Sequence, residues 1–130
     1  TSTPSKPVQR LLTSTNSELT RTEIEQTINL WHNYQSSMLS FFDDFDILIC
    51  PVNAHTASLH ETELDNTAYT YTSAYNLTGW PGVVIRAGTD ELGLPIGVQI
   101  VAKPFREDHC LAMARWLESR LGPFVTPNGP

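Results

Sequence analysis

Three short apolar runs, each bounded by proline or turn residues, constrain the possible folds of this chain most strongly. Residues 46–51 contain a continuous apolar run that ends in proline, which predicts a strand buried on both faces. Residues 83–85 are all β-branched, and residues 96–103 form another apolar run after the turn-forming residues 88–95. We expect these last two runs to pair as neighbouring antiparallel strands.

A long helix is predicted before the first strand. Thr20 and Glu23 match a capping box, in which the hydroxyl accepts from an early helical amide and the carboxylate reaches back. An apolar stripe at helical spacing then continues for about 25 residues and needs a surface to pack against. The stripe consists of Ile24, Ile28, Trp31, Met38, Phe42 and Phe45.

Two further helices separate or follow the strands. Residues 69–78 are followed by Gly79 and Pro81, which together make a helix stop. The last helix is expected to begin near Arg106 and to end at Gly122. Its predicted inner face contains Cys110, Leu111, Ala114, Leu117 and Leu121. Strands interleaved with helices indicate an α/β fold with about three elements of each kind.

Composition limits the classes of partner. The 130 residues carry a net charge of −6 and contain no basic stripe, so a nucleic-acid groove has little electrostatic support. No apolar run approaches the ~18 residues that a membrane span needs. Cys50 and Cys110 have neither zinc-knuckle nor disulfide-framework spacing, which favours a reducing, cytosolic setting.

The start of the chain differs in composition from the rest and sets the expected domain organisation. Residues 1–19 are polar and rich in Ser and Thr, and we expect them to form an arm or linker before one domain at 20–130. The chain begins without methionine or a secretion-signal pattern, so we interpret it as an excised or processed fragment.

Several motifs occur together in a characteristic order. Asn-Leu-Thr-Gly-Trp-Pro stands at residues 76–81, Gly-Leu-Pro-Ile-Gly-Val-Gln at 93–99, and Lys-Pro-Phe at 103–105. With the strand before them and the helix after them, they resemble the C-terminal region of amidase-signature hydrolases over residues 41–121. That family includes bacterial amidases, the glutamyl-tRNA amidotransferase catalytic subunit and fatty acid amide hydrolase. The resemblance implies the C-terminal part of the amidase-signature α/β fold, a mixed sheet covered by helices.

The resemblance also implies hydrolysis of a carboxylic amide C–N bond by a serine nucleophile, assisted by a second serine and a lysine. The adjacent serines Ser36 and Ser37 lie without glycine inside the first predicted helix, and the lysines are Lys6 and Lys103. We therefore expect the catalytic residues to lie outside these 130 residues, in the remainder of the amidase domain. The chain alone is predicted to be inactive, and no cofactor is expected.

By analogy with relatives, Tyr69, Ser73 and Phe105 are the candidates for contact with a small-molecule amide substrate. Ordinary packing of aromatic and small residues is the alternative for these three positions. Asn76 and Gln99, if buried, must find hydrogen-bond partners and could instead tie loops to the sheet.

Two positions inside the matched region depart from the family pattern. Arg86 stands where the family commonly has proline, and Trp80 stands where it often has a smaller apolar residue. Both departures leave the details of the substrate pocket open.

Two further places carry residue types that could support other chemistry. His55 and His60, with Glu61, Glu63 and Asp65, match no common zinc spacing, and we expect a solvated acidic loop without a metal. Cys50 follows an apolar run without a basic neighbour in sequence, which favours a buried small hydrophobe over a nucleophile. The alternative function is a non-catalytic interaction module derived from the same fold, self-associating through an exposed sheet edge.

Overall fold

The computed structural model describes residues 19–59 and 69–122. Its helices are α1 (Arg21–Leu39), α2 (Thr70–Thr78) and α3 (Glu107–Leu121), with a 3-10 turn at Ser40–Asp43 after α1. Its strands are β1 (Ile47–Pro51), β2 (Gly82–Thr89) and β3 (Pro95–Ala102). Contacts divide the chain into two units, Thr1–Asn33 and Tyr34–Pro130. Apart from Leu19, the predicted arm lies outside the described residues.

The predicted capping box at the start of α1 is confirmed. The Thr20 amide donates to Glu23 Oε2 at 2.8 Å, and the Glu23 amide donates to Thr20 Oγ1 at 3.3 Å. The hydrogen bond from the Thr20 hydroxyl is the main reason why the pKa of Glu23 is lowered. Two amides that the first helical turn cannot pair internally are thus satisfied by side chains.

The apolar stripe of α1 is less buried than its pattern predicts. Ile24, Ile28 and Trp31 are 45%, 44% and 44% exposed. The helix also ends at Leu39, before the stripe does, and the 3-10 turn carries Phe42 into the core. Helical spacing of apolar residues therefore predicted the helix but not the burial of its first turns.

The three described strands form one antiparallel sheet in the order β1-β3-β2. The predicted antiparallel pairing of β2 with β3 is confirmed, with Val83 opposite Ile100. Asp90 sets the turn between them, because its Oδ1 accepts the amides of Leu92 and Leu94 at 2.9 and 2.8 Å. Gly93 has a φ of 82°, which favours glycine at that position.

Both faces of the sheet carry a cluster of buried apolar side chains. On one face, Val101 packs with Phe42 and Trp80, whose rings meet edge to face at 4.9 Å. On the other face, Ile85 and Ile100 pack with Ala114 of α3. Consecutive residues of β3 therefore enter opposite clusters, as the two-residue period of a strand requires.

The predicted inner face of α3 needs correction at two positions, Leu111 and Leu121, and Leu121 is 46% exposed. Cys110 and Ala114 are buried, whereas Leu111 is 59% exposed. Consecutive helical residues are about 100° apart around the axis, so Leu111 turns away from the sheet that covers Cys110. The Cys110 thiol donates to the Pro81 carbonyl at 3.5 Å, and burial raises its pKa. This contact joins α3 to the segment that leads into β2.

No helix within the described ranges is both long and apolar enough to cross a membrane.

Replacement of Phe42 by alanine is expected to lower the free energy of unfolding by about 3–5 kcal/mol. Phe42 is 1% exposed, and its removal leaves a cavity beside Trp80 and Val101. Phe45→Ala is the matched control, since Phe45 is 56% exposed. Urea denaturation of the two variants measures the difference, and equal losses would contradict the assignment of Phe42 to the core.

Candidate functional site

The buried side chain of Gln99, on the central strand of the sheet, connects three elements. Gln99 lies on β3, and its Nε2 donates to the Pro51 carbonyl at 3.1 Å and to the Tyr71 carbonyl at 2.5 Å. Pro51 is the last residue of β1, and Tyr71 lies in the first turn of α2. The hypothesis that Gln99 ties surrounding segments to the sheet therefore agrees with the hydrogen bonds that it makes.

Two of the three predicted substrate contacts lie at the start of α2. The Ser73 hydroxyl donates to the Tyr69 carbonyl at 2.7 Å, so the two residues face the same side of the helix one turn apart. Tyr69 is 55% exposed and precedes the first helical residue. Because Gln99 holds Tyr71, this exposed turn is fixed to the sheet.

Phe105, the third predicted contact, lies in the turn between β3 and α3. Its side chain is 90% exposed, and its φ of 64° lies in the left-handed region, which is costly for an aromatic residue. The Arg106 amide donates to the Lys103 carbonyl at 3.1 Å and closes this turn. Arg106 also forms a bidentate pair with Asp108 at 2.8 and 2.9 Å.

The structure places Tyr69 and Ser73 together but places Phe105 near the other end of α2. The start of α2 lies beside Gln99 in the middle of the sheet, through the Tyr71 carbonyl. The segment after α2 reaches the end of β3, where the Ala102 amide donates to the Pro81 carbonyl at 3.2 Å. Phe105 follows that end of β3. The three residues therefore lie at two places, Tyr69 and Ser73 at the start of α2 and Phe105 in the turn after β3, rather than in a single cluster.

A groove of about 550 Å³ begins at Val52, the residue after Pro51. The sequence patterns did not predict this groove. It is lined by loop residues 52–59, by Val84 of β2 and by residues 95–97 of β3. A Cβ on Gly97 would come within 3.2 Å of Val52 and 3.3 Å of Val84. The glycine thus lets two valine side chains close over the central strand, a packing role that only the folded chain reveals.

The remaining residues singled out by sequence have simpler environments. Asn76 is exposed, so its side chain does not need a hydrogen-bond partner inside the protein. Trp80 is 8% exposed and packs in the core, where its large ring contacts the ring of Phe42 edge to face. Arg86 is half-buried beside the register shift between Arg86 and Gly88.

Cys50 contacts a tyrosine rather than a base. Its Sγ lies 3.6 Å from the Tyr75 hydroxyl, and Cys50 is half-buried. Burial is the main cause that raises the pKa of Tyr75, and the hydrogen bond with Cys50 adds to it. A neutral phenol does not activate a thiol, so this pair has a packing role on the face of the sheet that α2 covers.

The residues of the catalytic and metal hypotheses lie only partly within the described ranges. Ser36 and Ser37 are exposed on α1, and Lys103 is half-buried after β3. Lys6 and residues 60–65, including His60, Glu61, Glu63 and Asp65, lie outside the described residues. Within 19–59 and 69–122, no group of three or more His, Cys, Asp or Glu side chains is arranged to hold a metal ion.

Solved structures with the same arrangement of strands and helices define the class of fold. A crystal structure described as an amidase matches 91% of this chain with a TM-score of 0.80 and 24% identity, over 29% of its own length. A bacterial aryl acylamidase of the amidase-signature family matches 93% with a TM-score of 0.70 and 20% identity, over 27% of its length. The fold is therefore that of part of an amidase-signature enzyme.

Sequence comparison identifies the family. The family model described as Amidase matches residues 2–111, and the chain belongs to this family. The A subunit of glutamyl-tRNA(Gln) amidotransferase from Gloeothece citriformis (strain PCC 7424) is 39% identical over 72 residues, covering 52% of this chain and 15% of the relative. Its counterpart from Helicobacter pylori (strain G27) is 36% identical over 84 residues, covering 62% of this chain and 18% of the relative. The chain spans less than a fifth of the length of these curated relatives.

Replacement of Gln99 by glutamate is expected to destabilise the chain by about 2–4 kcal/mol at neutral pH, since two carbonyls lose a donor and face a carboxylate. Burial and the two carbonyls raise the pKa of the new side chain in the folded state. Its protonated form is favoured there, so stability should recover as the pH falls.

Gln35→Glu is the matched control for this prediction. Gln35 also donates to two carbonyls, those of Leu77 and Thr78, both at 3.4 Å, from a half-buried position. We expect Gln35→Glu to lower the free energy of unfolding by less than about 1 kcal/mol. Chemical denaturation between pH 4 and pH 8 compares the variants, and a larger loss for Gln35→Glu would contradict the role given to Gln99.

Proposed function

We propose that this chain supplies the C-terminal region of an amide C–N hydrolase, forming scaffold and part of the wall of its substrate channel. The observation that carries the proposal is the Amidase match over residues 2–111, joined to an amidase-like fold over most of the chain. The two curated relatives described above belong to glutamyl-tRNA(Gln) amidotransferases. A carboxylic amide is therefore the substrate class that we assign.

The nucleophile and its base belong, in this proposal, to the remainder of the amidase domain. A serine nucleophile needs a neighbouring base and backbone donors that hold the developing oxyanion. Ser36 and Ser37 lie on the exposed side of a regular helix, whose amides are engaged in helical hydrogen bonds. Such a position offers no pair of convergent amide donors, which supports a purely non-catalytic role for these serines.

The proposed channel wall consists of Tyr69, Ser73 and Phe105. Tyr69 and Phe105 expose 55% and 90% of their surface, although aromatic side chains gain most from burial. Phe105 is also held in a costly backbone conformation by a closed turn, a pattern that is frequent where a side chain is presented to a ligand. These features favour substrate contact over ordinary core packing.

The setting that we propose is cytosolic. Cys50 and Cys110 are both free thiols, and one of them is buried beside a backbone carbonyl. A reducing compartment suits such cysteines. The alternative of a non-catalytic interaction module has no comparison in its favour.

The test is amide hydrolysis by the 130-residue chain and by the full product of the reading frame that contains it. We expect activity only in the full product, measured as the ammonia or amine released from a panel of carboxylic amides. Hydrolysis by the 130-residue chain alone would overturn the assignment of catalysis to other residues. Absence of hydrolysis by the full product on every amide would overturn the proposed function.

Phe105→Gly separates substrate contact from folding. We expect the KM of the full product to rise about 10-fold, equivalent to a loss of about 1.4 kcal/mol. The free energy of unfolding should stay unchanged or rise by up to about 1 kcal/mol, because glycine adopts a positive φ without strain.

Leu92→Ala is the control, since Leu92 is 85% exposed in the turn between β2 and β3. Steady-state kinetics and urea denaturation of both variants provide the measurements. An unchanged KM for Phe105→Gly would remove Phe105 from the channel wall.

A further inference from the structure

The loop after β1, residues 52–59, lines one side of the groove and bonds to the sheet region at two of its residues. At the start of the loop, the Val52 amide donates to the Gly97 carbonyl at 3.4 Å. Further along, the Thr56 hydroxyl donates to the carboxylate of Asp90, which lies in the turn between β2 and β3. A side-chain hydrogen bond therefore joins the loop to a hairpin that is distant in sequence.

Thr56 differs from the rest of this loop in its burial. Within residues 53–59, all of which the structure describes, Thr56 is half-buried and the other residues are exposed. The apolar members of this stretch, Ala54, Ala57 and Leu59, are among the exposed ones, and Leu59 is 84% exposed. Apolar burial therefore contributes little to holding residues 53–59, and the hydroxyl of Thr56 is the group that turns inward.

Asp90 is fixed by its own turn, independently of the loop. Its Oδ1 accepts the amides of Leu92 and Leu94 at 2.9 and 2.8 Å, and its amide donates to the Leu94 carbonyl at 2.9 Å. Burial raises the pKa of Asp90, but the hydrogen bonds that the carboxylate accepts outweigh burial, and the pKa is lowered. An ionised carboxylate only accepts hydrogen bonds, so the turn presents a fixed acceptor to the Thr56 hydroxyl.

We infer that Asp90 is a positioning residue for the groove: its hydrogen bond with Thr56 holds residues 53–59 against the β2–β3 hairpin, and loss of this bond releases the loop while the sheet stays folded. The described apolar clusters on the two faces of the sheet include no residue of this loop. The sheet therefore does not need the bond. The inference is independent of the proposed function, because it concerns the conformation of the loop and not amide hydrolysis.

The surroundings of this hydrogen bond suit local opening. Thr56 and Asp90 are both half-buried, so water can hydrogen-bond to each of them when the bond between them breaks. The bond from the Val52 amide to the Gly97 carbonyl remains at the start of the loop and confines the opening to the residues after it. Segments with few buried apolar contacts open in this way without unfolding of the whole domain.

Thr56→Val and Thr56→Ser test the inference in the full product of the reading frame. Valine keeps a branched side chain of similar size but removes the hydroxyl, whereas serine keeps the hydroxyl. Thermolysin cleaves before apolar residues, and the loop offers Ala54, Ala57 and Leu59. We expect Thr56→Val to raise the rate of cleavage within residues 53–59, mapped by mass spectrometry, at least about 10-fold, and Thr56→Ser to raise it less than about twofold.

Ser58→Ala is the matched control, because it removes a hydroxyl from an exposed position of the same loop. We expect it to change the rate of cleavage within residues 53–59 by less than about twofold. Equal rates for Thr56→Val and Ser58→Ala overturn the inference. An equal increase of cleavage within β2 and β3 also overturns it, since that result shows that Thr56→Val unfolds the sheet.

A double-mutant cycle tests whether Asp90 is the partner. Asp90→Ala should raise cleavage within residues 53–59 at least as much as Thr56→Val does. Adding Thr56→Val to Asp90→Ala should then change the rate by less than about twofold, because the bond is already lost. A double variant in which the two single effects multiply overturns the role of Asp90. Where Asp90→Ala fails to fold, the difference between Thr56→Val and Thr56→Ser decides the outcome.

Discussion

The central strand β3 is the constraint on which the other described elements of the sheet depend. Ile100, Val101 and Ala102 have no exposed surface, and consecutive residues of this strand enter different apolar clusters. Gln99 precedes them and uses both protons of its side-chain amide on carbonyls of β1 and α2. A buried amide without such partners costs about 1–3 kcal/mol. The apolar packing of β3 and the hydrogen bonds of Gln99 therefore favour the same strand register. A shift of one residue would exchange the two faces and break both.

This arrangement determines where three exposed side chains lie. The segments that β3 holds through Gln99 carry Tyr69 and Ser73, and the turn that follows β3 carries Phe105. The strand thus positions exposed side chains at the start of α2 and in the turn before α3, where Phe105 adopts a positive φ that is costly for an aromatic residue. The amidase family to which the chain belongs gives these positions a chemical context, and the chain spans less than a fifth of the curated relatives.

Local patterns predicted the elements with clear local causes. The capping box at Thr20 and Glu23 and the turn residues around Asp90 and Gly93 each act within a few residues. The apolar stripe predicted burial less well, because burial depends on which surface meets the helix. Leu111 and Phe45 show the same limit, since both fit an apolar spacing and both remain more than half exposed.

By itself, the sequence determined the α/β class, the antiparallel pairing of β2 with β3 and the family, because apolar period, turn residues and ordered motifs are local properties of the chain. Only the tertiary structure decided that Gln99 bonds to Pro51 and Tyr71, that Val52 and Val84 both pack close to Gly97, and that Cys50 contacts Tyr75. These features join residues that are 25–48 positions apart or depend on strand register, and no local pattern carries that information.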